Sequence, residues 1–98
     1  MLDDLHAELL GVPLLVAEFG IGTDDDALRA RYLVRGLEIA NRAIARGVDV
    51  RGFFHWTAVD NYEWLHGYDV AFGLIDRDRN VRASAQVLAR EALGRSAD

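Results

Sequence analysis

The 98-residue sequence contains no cysteine, so it can form neither a disulfide nor a thiolate metal site, and cysteine usage leaves its redox compartment open. It has a single proline and no Pro- or Ser-rich stretch, so no linker divides it. The length fits one small domain, at roughly 100–200 residues per domain. No apolar run approaches the ~20 residues of a membrane span; the longest, around Val12 to Ala17, is strand-sized. Basic residues are not in excess either. Eleven Lys+Arg face sixteen Asp+Glu, and the net charge of −5 argues against nucleic acid or an anionic membrane as partner. The opening MLDDLHAELL carries two acids where a secretory signal carries a basic region, so a cytoplasmic chain is expected. The only serines, Ser84 and Ser96, lie in or beyond the last predicted helix, which excludes a Gly-x-Ser-x-Gly nucleophile elbow.

What is present is ordinary globular composition, 51% hydrophobic and 28% charged. Its periodicity alternates helix, strand, helix, strand, helix. Residues 2–10 place Leu2, Leu5, Leu9 and Leu10 at helical spacing, and Gly11 follows as a stop signal. VPLLVAEFG, residues 12–20, is a β-rich apolar run with Pro13 near its start, where a missing N–H is tolerated. Residues 24–46 predict the longest helix, with Leu28, Tyr32, Leu33, Leu37, Ala40 and Ile44 on its apolar face. Thr23 is the expected N-cap, Asp24 to Asp26 complement the helix dipole, and Gly47 takes the C′ position. A second strand, VDVRGFFHW, spans residues 48–56, and Gly52 within it implies a bulge or a close backbone approach. A long polar and aromatic loop fills residues 57–80. A last helix over 81–93 sets Val81, Ala85, Leu88 and Ala92 on one face, before Gly94 and a polar tail ending at Asp98.

Strands alternating with helices of this length indicate βαβ units with parallel pairing. Two strands cannot close a sheet. Both read as buried on two faces, so other structure should cover them.

Three constellations bear on chemistry, and two of them fail. GIGTDD, Gly20 to Asp25, sits where a dinucleotide-binding glycine loop would, with Glu38 downstream. It lacks the third glycine, and Asp24, Asp25 and Asp26 would repel a pyrophosphate from the helix N-terminus; a capped turn explains it better. DRDRN, Asp76 to Asn80, opens like a calcium loop, yet Val81 and Val87 occupy the positions that require glycine and glutamate. A solvated turn, with Asn80 capping the last helix, is expected instead. His6, His55 and His66 show no metal-ligand spacing, so no metal site is expected and no cofactor is implied.

The third constellation survives. Glu18 ends an apolar strand, where a charge needs a partner or a purpose, and active sites of parallel α/β proteins form at such strand ends. The second strand ends comparably in HWTAVDNYEW, His55 to Trp64, which offers two indoles, a phenol, two carboxylates and an amide. Flat rings beside polar groups suit a sugar, which stacks its C–H face and hydrogen-bonds through its hydroxyls. Taken singly, each indole fits core packing and Asp60-Asn61 fits a turn.

The runs PLLVAEFG, GVDVRGFFHWTAVDNYEWLHGY and FGLIDRDRNVRASAQVLA resemble the C-terminal part of glycoside hydrolase family 1. That family holds the retaining β-glucosidases, β-galactosidases and 6-phospho-β-glycosidases. The similarity runs from Pro13 to about Leu93, and its most specific part is W-[ST]-x-x-D-N-[FY]-E-W-x-x-G-Y followed by F-G-L.

The resemblance implies an α/β chain holding the last two βα units of a (β/α)8 TIM barrel, strands 7 and 8 with their helices, so that the barrel is incomplete. Residues 1–11 would end helix 6, 12–20 form strand 7, 24–46 helix 7, 48–56 strand 8, 57–80 an active-site loop and 81–93 helix 8. It further implies Glu18 as the nucleophile, Trp56 as the floor of the glycone subsite, Glu63 and Trp64 as binders of the sugar's outer hydroxyls, and Phe72 as an aromatic closing the subsite. Ala17-Glu18-Phe19-Gly20 stands where the family usually has T-E-N-G, Ala71 where an arginine often precedes F-G-L, and Arg82 where a lysine is common.

Retaining hydrolysis needs two carboxyl groups about 5–5.5 Å apart. The family's acid/base lies in an N-E-P motif on the fourth strand, and this sequence contains none. The expectation is a C-terminal piece of a β-glucosidase-like enzyme, acting on a β-glycoside or oligosaccharide, inactive or nearly so by itself and prone to self-association. One alternative is half of a two-chain hydrolase whose partner supplies the N-terminal barrel portion. Another is a non-catalytic sugar-binding fragment with Trp56 and Trp64 as stacking platforms.

Overall fold

Five elements follow one another in the order helix, strand, helix, strand, helix, and the computed structural model describes residues 1–97. They are α1 (Leu2–Glu8), β1 (Leu14–Phe19), α2 (Asp26–Ala45), β2 (Val50–His55) and α3 (Ala83–Ala97). The two strands pair in parallel, as βαβ alternation requires. Leu14 pairs with Val50, Leu15 with Gly52, Val16 with Phe53 and Phe19 with His55, and the ladder slips between Leu14 and Leu15 and again between Val16 and Phe19. The second slip falls at the strand end that carries Glu18; irregularities of this kind re-aim side chains.

The core lies between the sheet and α2, with α3 packed against the outside of α2. Leu33, Ala40 and Ala43 of α2 are buried together with Val48. Phe19 stacks on Tyr32 with ring centroids 4.6 Å apart and meets Phe53 at 5.1 Å. The Phe19 ring rests on Gly36, where an added Cβ would lie 2.4 Å from it. Gly36 is therefore the notch in α2 that lets the helix approach the end of β1.

Several boundaries and faces differ from the expectations. The buried face of α2 is Arg29, Leu33, Gly36, Ala40 and Ala43, while Leu28, Tyr32 and Ile44 are exposed. Apolar periodicity passed over Arg29 and Gly36 because one carries a charge and the other has no side chain. The N-cap of α2 is Asp25, whose carboxylate accepts the Leu28 N–H at 3.1 Å; Thr23 lies two residues upstream, its hydroxyl accepting the Asp25 N–H at 3.0 Å. Gly47 follows the helix with φ +98°, as a C′ glycine should. Asn80 does not cap α3, because its side chain donates to Asp76 at 3.0 Å and closes the 76–80 turn. The start of α3 is served by Asp26 instead, which accepts the Ser84 N–H at 2.9 Å and hydroxyl at 2.6 Å. Val81 precedes α3 and is exposed, and the helix continues through Gly94 to Ala97 because Gly94 keeps helical backbone. Asp98 of the expected tail lies outside the described residues.

The strands are not buried on both faces within this chain. Leu15 and Phe54 are 62% and 57% exposed on the side away from α2. The molecule is a slab of 43 × 34 × 17 Å with a radius of gyration of 14.9 Å, where a compact chain of this length has about 13 Å. Its accessible surface of 6738 Å² exceeds the about 5,600 Å² expected for a compact monomer of 10.9 kDa. Among the described residues, no helix is long and apolar enough to cross a membrane.

Replacing Gly36 by valine should destabilise the chain by about 1–3 kcal/mol, because the Phe19 ring has to leave its seat. Urea denaturation measures this, and unchanged stability would show that Phe19 does not depend on the notch.

Candidate active site

Glu18 lies in β1 and Trp56 directly follows β2, so the two meet at the same end of the sheet. The Trp56 N–H donates to the Phe19 carbonyl at 3.0 Å, extending the β1–β2 ladder by one bond. The peptide between Trp56 and Thr57 is cis. Glu18, Phe19, Gly20, Trp56 and Phe72 line an open depression of about 310 Å³. Gly20 and Gly22 fit this place by having no side chain: a Cβ on Gly20 would lie 2.2 Å from the Trp56 carbonyl oxygen, and one on Gly22 2.9 Å from the Phe72 ring. The glycines of GIGTDD thus admit close packing against the two aromatic residues.

Of the expected site residues, Glu18, Trp56 and Phe72 share this depression, and Glu63 joins them through the Trp56 indole. Its Oε1 accepts the Trp56 Nε1–H at 3.1 Å. Glu63 is placed by a tight turn in which its N–H donates to the Gly67 carbonyl at 2.8 Å while its own carbonyl accepts from His66 and Gly67. Trp64 stands apart. It is 89% exposed and does not line the depression. Among the described residues, nothing donates a hydrogen bond to the Glu18 carboxylate, consistent with the apolar Ala17 and Phe19 on either side of it. No group of three or more His, Asp or Glu among the described residues could hold a metal ion.

A buried polar network behind the depression was not anticipated. Arg29, 1% exposed, donates to Asp26 at 2.8 Å, to the Thr23 carbonyl, and to the Ala71 carbonyl at 2.8 Å. Asp60 accepts both Arg82 Nη groups at 2.7 Å and the Gly73 N–H at 2.8 Å. His55 Nε2 lies 3.1 Å from the Phe72 carbonyl, so this nitrogen carries the proton it donates. Only the Asp26–Arg29 contact has a local signal, an i,i+3 pair on one helix. Apart from Arg29 to Thr23, six positions away, the other bonds join residues 13 to 42 positions apart.

Residues 2–92 match the sequence profile of glycosyl hydrolase family 1. The chain belongs to glycosyl hydrolase family 1. It is 48% identical over 68 residues to the beta-galactosidase of Sulfolobus acidocaldarius, covering 69% of this chain and 14% of that protein. It superposes on the crystal structure of the beta-glycosidase from the hyperthermophile Thermosphaera aggregans with a TM-score of 0.89 and 38% identity, covering 94% of this chain and 20% of that one. On the beta-glucosidase from Thermotoga maritima in complex with glucoimidazole the TM-score is 0.86 with 28% identity, over 95% of this chain and 24% of that one. The chain therefore spans about a seventh to a quarter of the lengths it matches, with an α/β fold derived from the barrel of these family 1 enzymes.

The charges behind the depression of this family 1 chain are tuned by their partners. Arg82 holds the Asp60 carboxyl below its ordinary value, against burial, with the Gly73 amide helping. Burial would raise the Asp26 carboxyl, yet the Ser84 hydroxyl and amide and the Arg29 guanidinium together keep it low. Burial pushes His55 down, assisted by the nearby Arg29 charge and opposed by the Phe72 carbonyl.

The pH dependence follows from these directions. A base depressed in the folded state contributes stability above its unfolded pKa of about 6.5, which is lost as pH falls through the folded value. The two depressed carboxyls add stability above 3.8 that is lost at more acid pH. Unfolding free energy measured from pH 7.5 down to 5 should fall in this family 1 chain. His55→Gln should flatten that upper window and leave the loss below about pH 4 in place.

Proposed function

We propose that this chain forms the last two βα units of a (β/α)8 barrel in a retaining β-glycosidase, with Glu18 as the nucleophile. On this reading β1 is strand 7, α2 helix 7, β2 strand 8, residues 57–80 the active-site loop and α3 helix 8, while α1 ends helix 6. The observation that carries the proposal is the convergence of Glu18, Trp56 and Phe72 on one depression at the strand ends, with Glu63 bonded to the same indole.

In that arrangement Trp56 forms the flat floor for the sugar's C–H face, Phe72 the side wall, and Glu63 the acceptor for outer hydroxyls. Trp64, exposed on the same loop, completes the hydroxyl contacts when it folds onto a bound sugar. The Glu18 carboxylate attacks the anomeric carbon, the glycosidic C–O bond breaks, and a glycosyl ester forms that water then hydrolyses with net retention. The leaving oxygen needs a proton at the first step. Glu63 is not that donor, because its role is to receive the indole N–H and sugar hydroxyls. The acid/base therefore comes from barrel strands outside these two units, which also cover Leu15 and Phe54, within one polypeptide or from a partner. The relatives' names include a beta-galactosidase and a beta-glucosidase, supporting gluco- or galacto-configured β-glycosides as substrates.

The test is a graft of residues 12–93 into the matching segment of the Thermosphaera aggregans beta-glycosidase. The chimera should hydrolyse an aryl β-glycoside, and Glu18→Gln within the graft should lower kcat by about 10⁴-fold or more. Glu18→Ala with added azide should yield the α-glycosyl azide, because azide then enters the face that the carboxylate vacated. A chimera whose activity survives Glu18→Gln sinks the assignment. The isolated 98-residue chain should show no turnover, and clear hydrolysis by it would disprove the missing acid.

A further inference from the structure

The segment that carries Phe72 is held at three successive carbonyls by three side chains from three parts of the fold. The Ala71 carbonyl accepts from Arg29 at 2.8 Å, that of Phe72 from His55 at 3.1 Å, and that of Gly73 from Arg82 at 2.7 Å. Arg29 belongs to α2, His55 ends β2, and Arg82 immediately precedes α3.

Arg82 does more than occupy one carbonyl. Its guanidinium forks onto both oxygens of Asp60, and the Asp60 carboxylate also takes the Gly73 N–H. Asp60 stands three residues before Glu63, and Gly73 directly follows Phe72. One arginine therefore ties the stem leading to Glu63 to the stem presenting Phe72. The pair is largely shielded, with side chains 22% and 12% exposed, and a forked guanidinium fixes direction in a way that a point charge does not. Arg82 itself does not line the depression, so any effect there passes through Asp60 and Gly73.

We propose that Arg82 is a positioning residue that fixes the Phe72 wall and the Glu63–Trp56 wall of the depression relative to each other. The sugar-binding purpose of those walls rests on the function proposed above; their placement by Arg82 does not.

The experiment is nuclear magnetic resonance on the ¹⁵N-labelled 98-residue chain carrying Arg82→Gln. The Gly73 amide should exchange with solvent at least about tenfold faster relative to the Leu33 amide of α2, which serves as internal reference. The His55 imidazole should titrate closer to the ordinary value of about 6.5, since release of the 71–73 segment opens the ring to water. The Trp56 indole N–H resonance should shift as its contact with Glu63 loosens. Arg82→Lys keeps a charge for Asp60 but loses the fork, so it should move the same signals in the same direction by less. It decides the matter alone if the glutamine variant does not fold. If His55 and the Trp56 indole stay in place while Gly73 and Leu33 exchange faster together, Arg82 only stabilises the chain and the proposal falls. Signals that move as expected beside an inactive graft would keep the positioning role and reject the glycosidase reading.

Discussion

A guanidinium buried to 1% exposure is the constraint around which the rest of the chain is arranged. Removing such a charge from water costs several kcal/mol unless its donors are met, and here both Nη groups are met while the buried Nε is not. The partners come from the β1–α2 connection at Thr23, from α2 at Asp26 and from the loop after β2 at Ala71. Asp26 extends the network to the first turn of α3 through Ser84, itself fully buried. The starts of both long helices and the far end of the loop thereby share one polar point, directly behind the strand ends. Breaking one member of such a network strands the others, and here the Ala71 carbonyl beside Phe72 is one of those members.

The order of elements could be read from local signals because those signals are local in origin. An apolar run bounded by Gly11 and Gly20 gives a strand, and period-3.6 spacing with acids first and Gly47 last gives α2. What could not be read is which side of each element is covered. The face of α2 turned to the sheet contains Arg29 and Gly36. A hydrophobic count rejects the first for its charge and gives the second no weight. Similarly, Leu15 and Phe54 look like core residues from their chemistry, and nothing local reveals that the sheet leaves them exposed. Partner choice at α3 was equally hidden, since Asp26 and Ser84 are 58 positions apart.

The candidate site divides along the same line. Trp56 and Glu63 are seven positions apart on one loop, so a sequence motif can contain both members of their hydrogen bond. Glu18 and Phe72 come from different segments, and only pairing of β1 with β2 brings them to one depression. The supporting layer was invisible to motif reading, because Arg82 and Asp60 are 22 positions apart and each taken alone fits an ordinary surface charge. The glycines of GIGTDD show how one pattern serves two purposes. Their place between a strand and a helix is that of a phosphate loop, but the space they leave is filled by the Trp56 backbone and the Phe72 ring.

The same structure that holds the Phe72 and Glu63 segments at several points leaves the Glu18 carboxylate, the proposed nucleophile, almost unsupported. Phe72 is fixed through three consecutive carbonyls and Glu63 through a turn and an indole, while Glu18 receives no hydrogen bond from the described residues. Its flanking Ala17 and Phe19 have no polar side chain to offer. The Glu18 carboxylate without a donor and the uncovered Leu15–Phe54 face are two openings that the described residues leave unfilled. Retaining chemistry of the proposed kind requires donors and a second carboxyl held at a set distance, and on that reading both come from structure beyond these residues. On the proposed reading, two βα units build a place for a sugar from their own residues, and making that place reactive depends on what covers them.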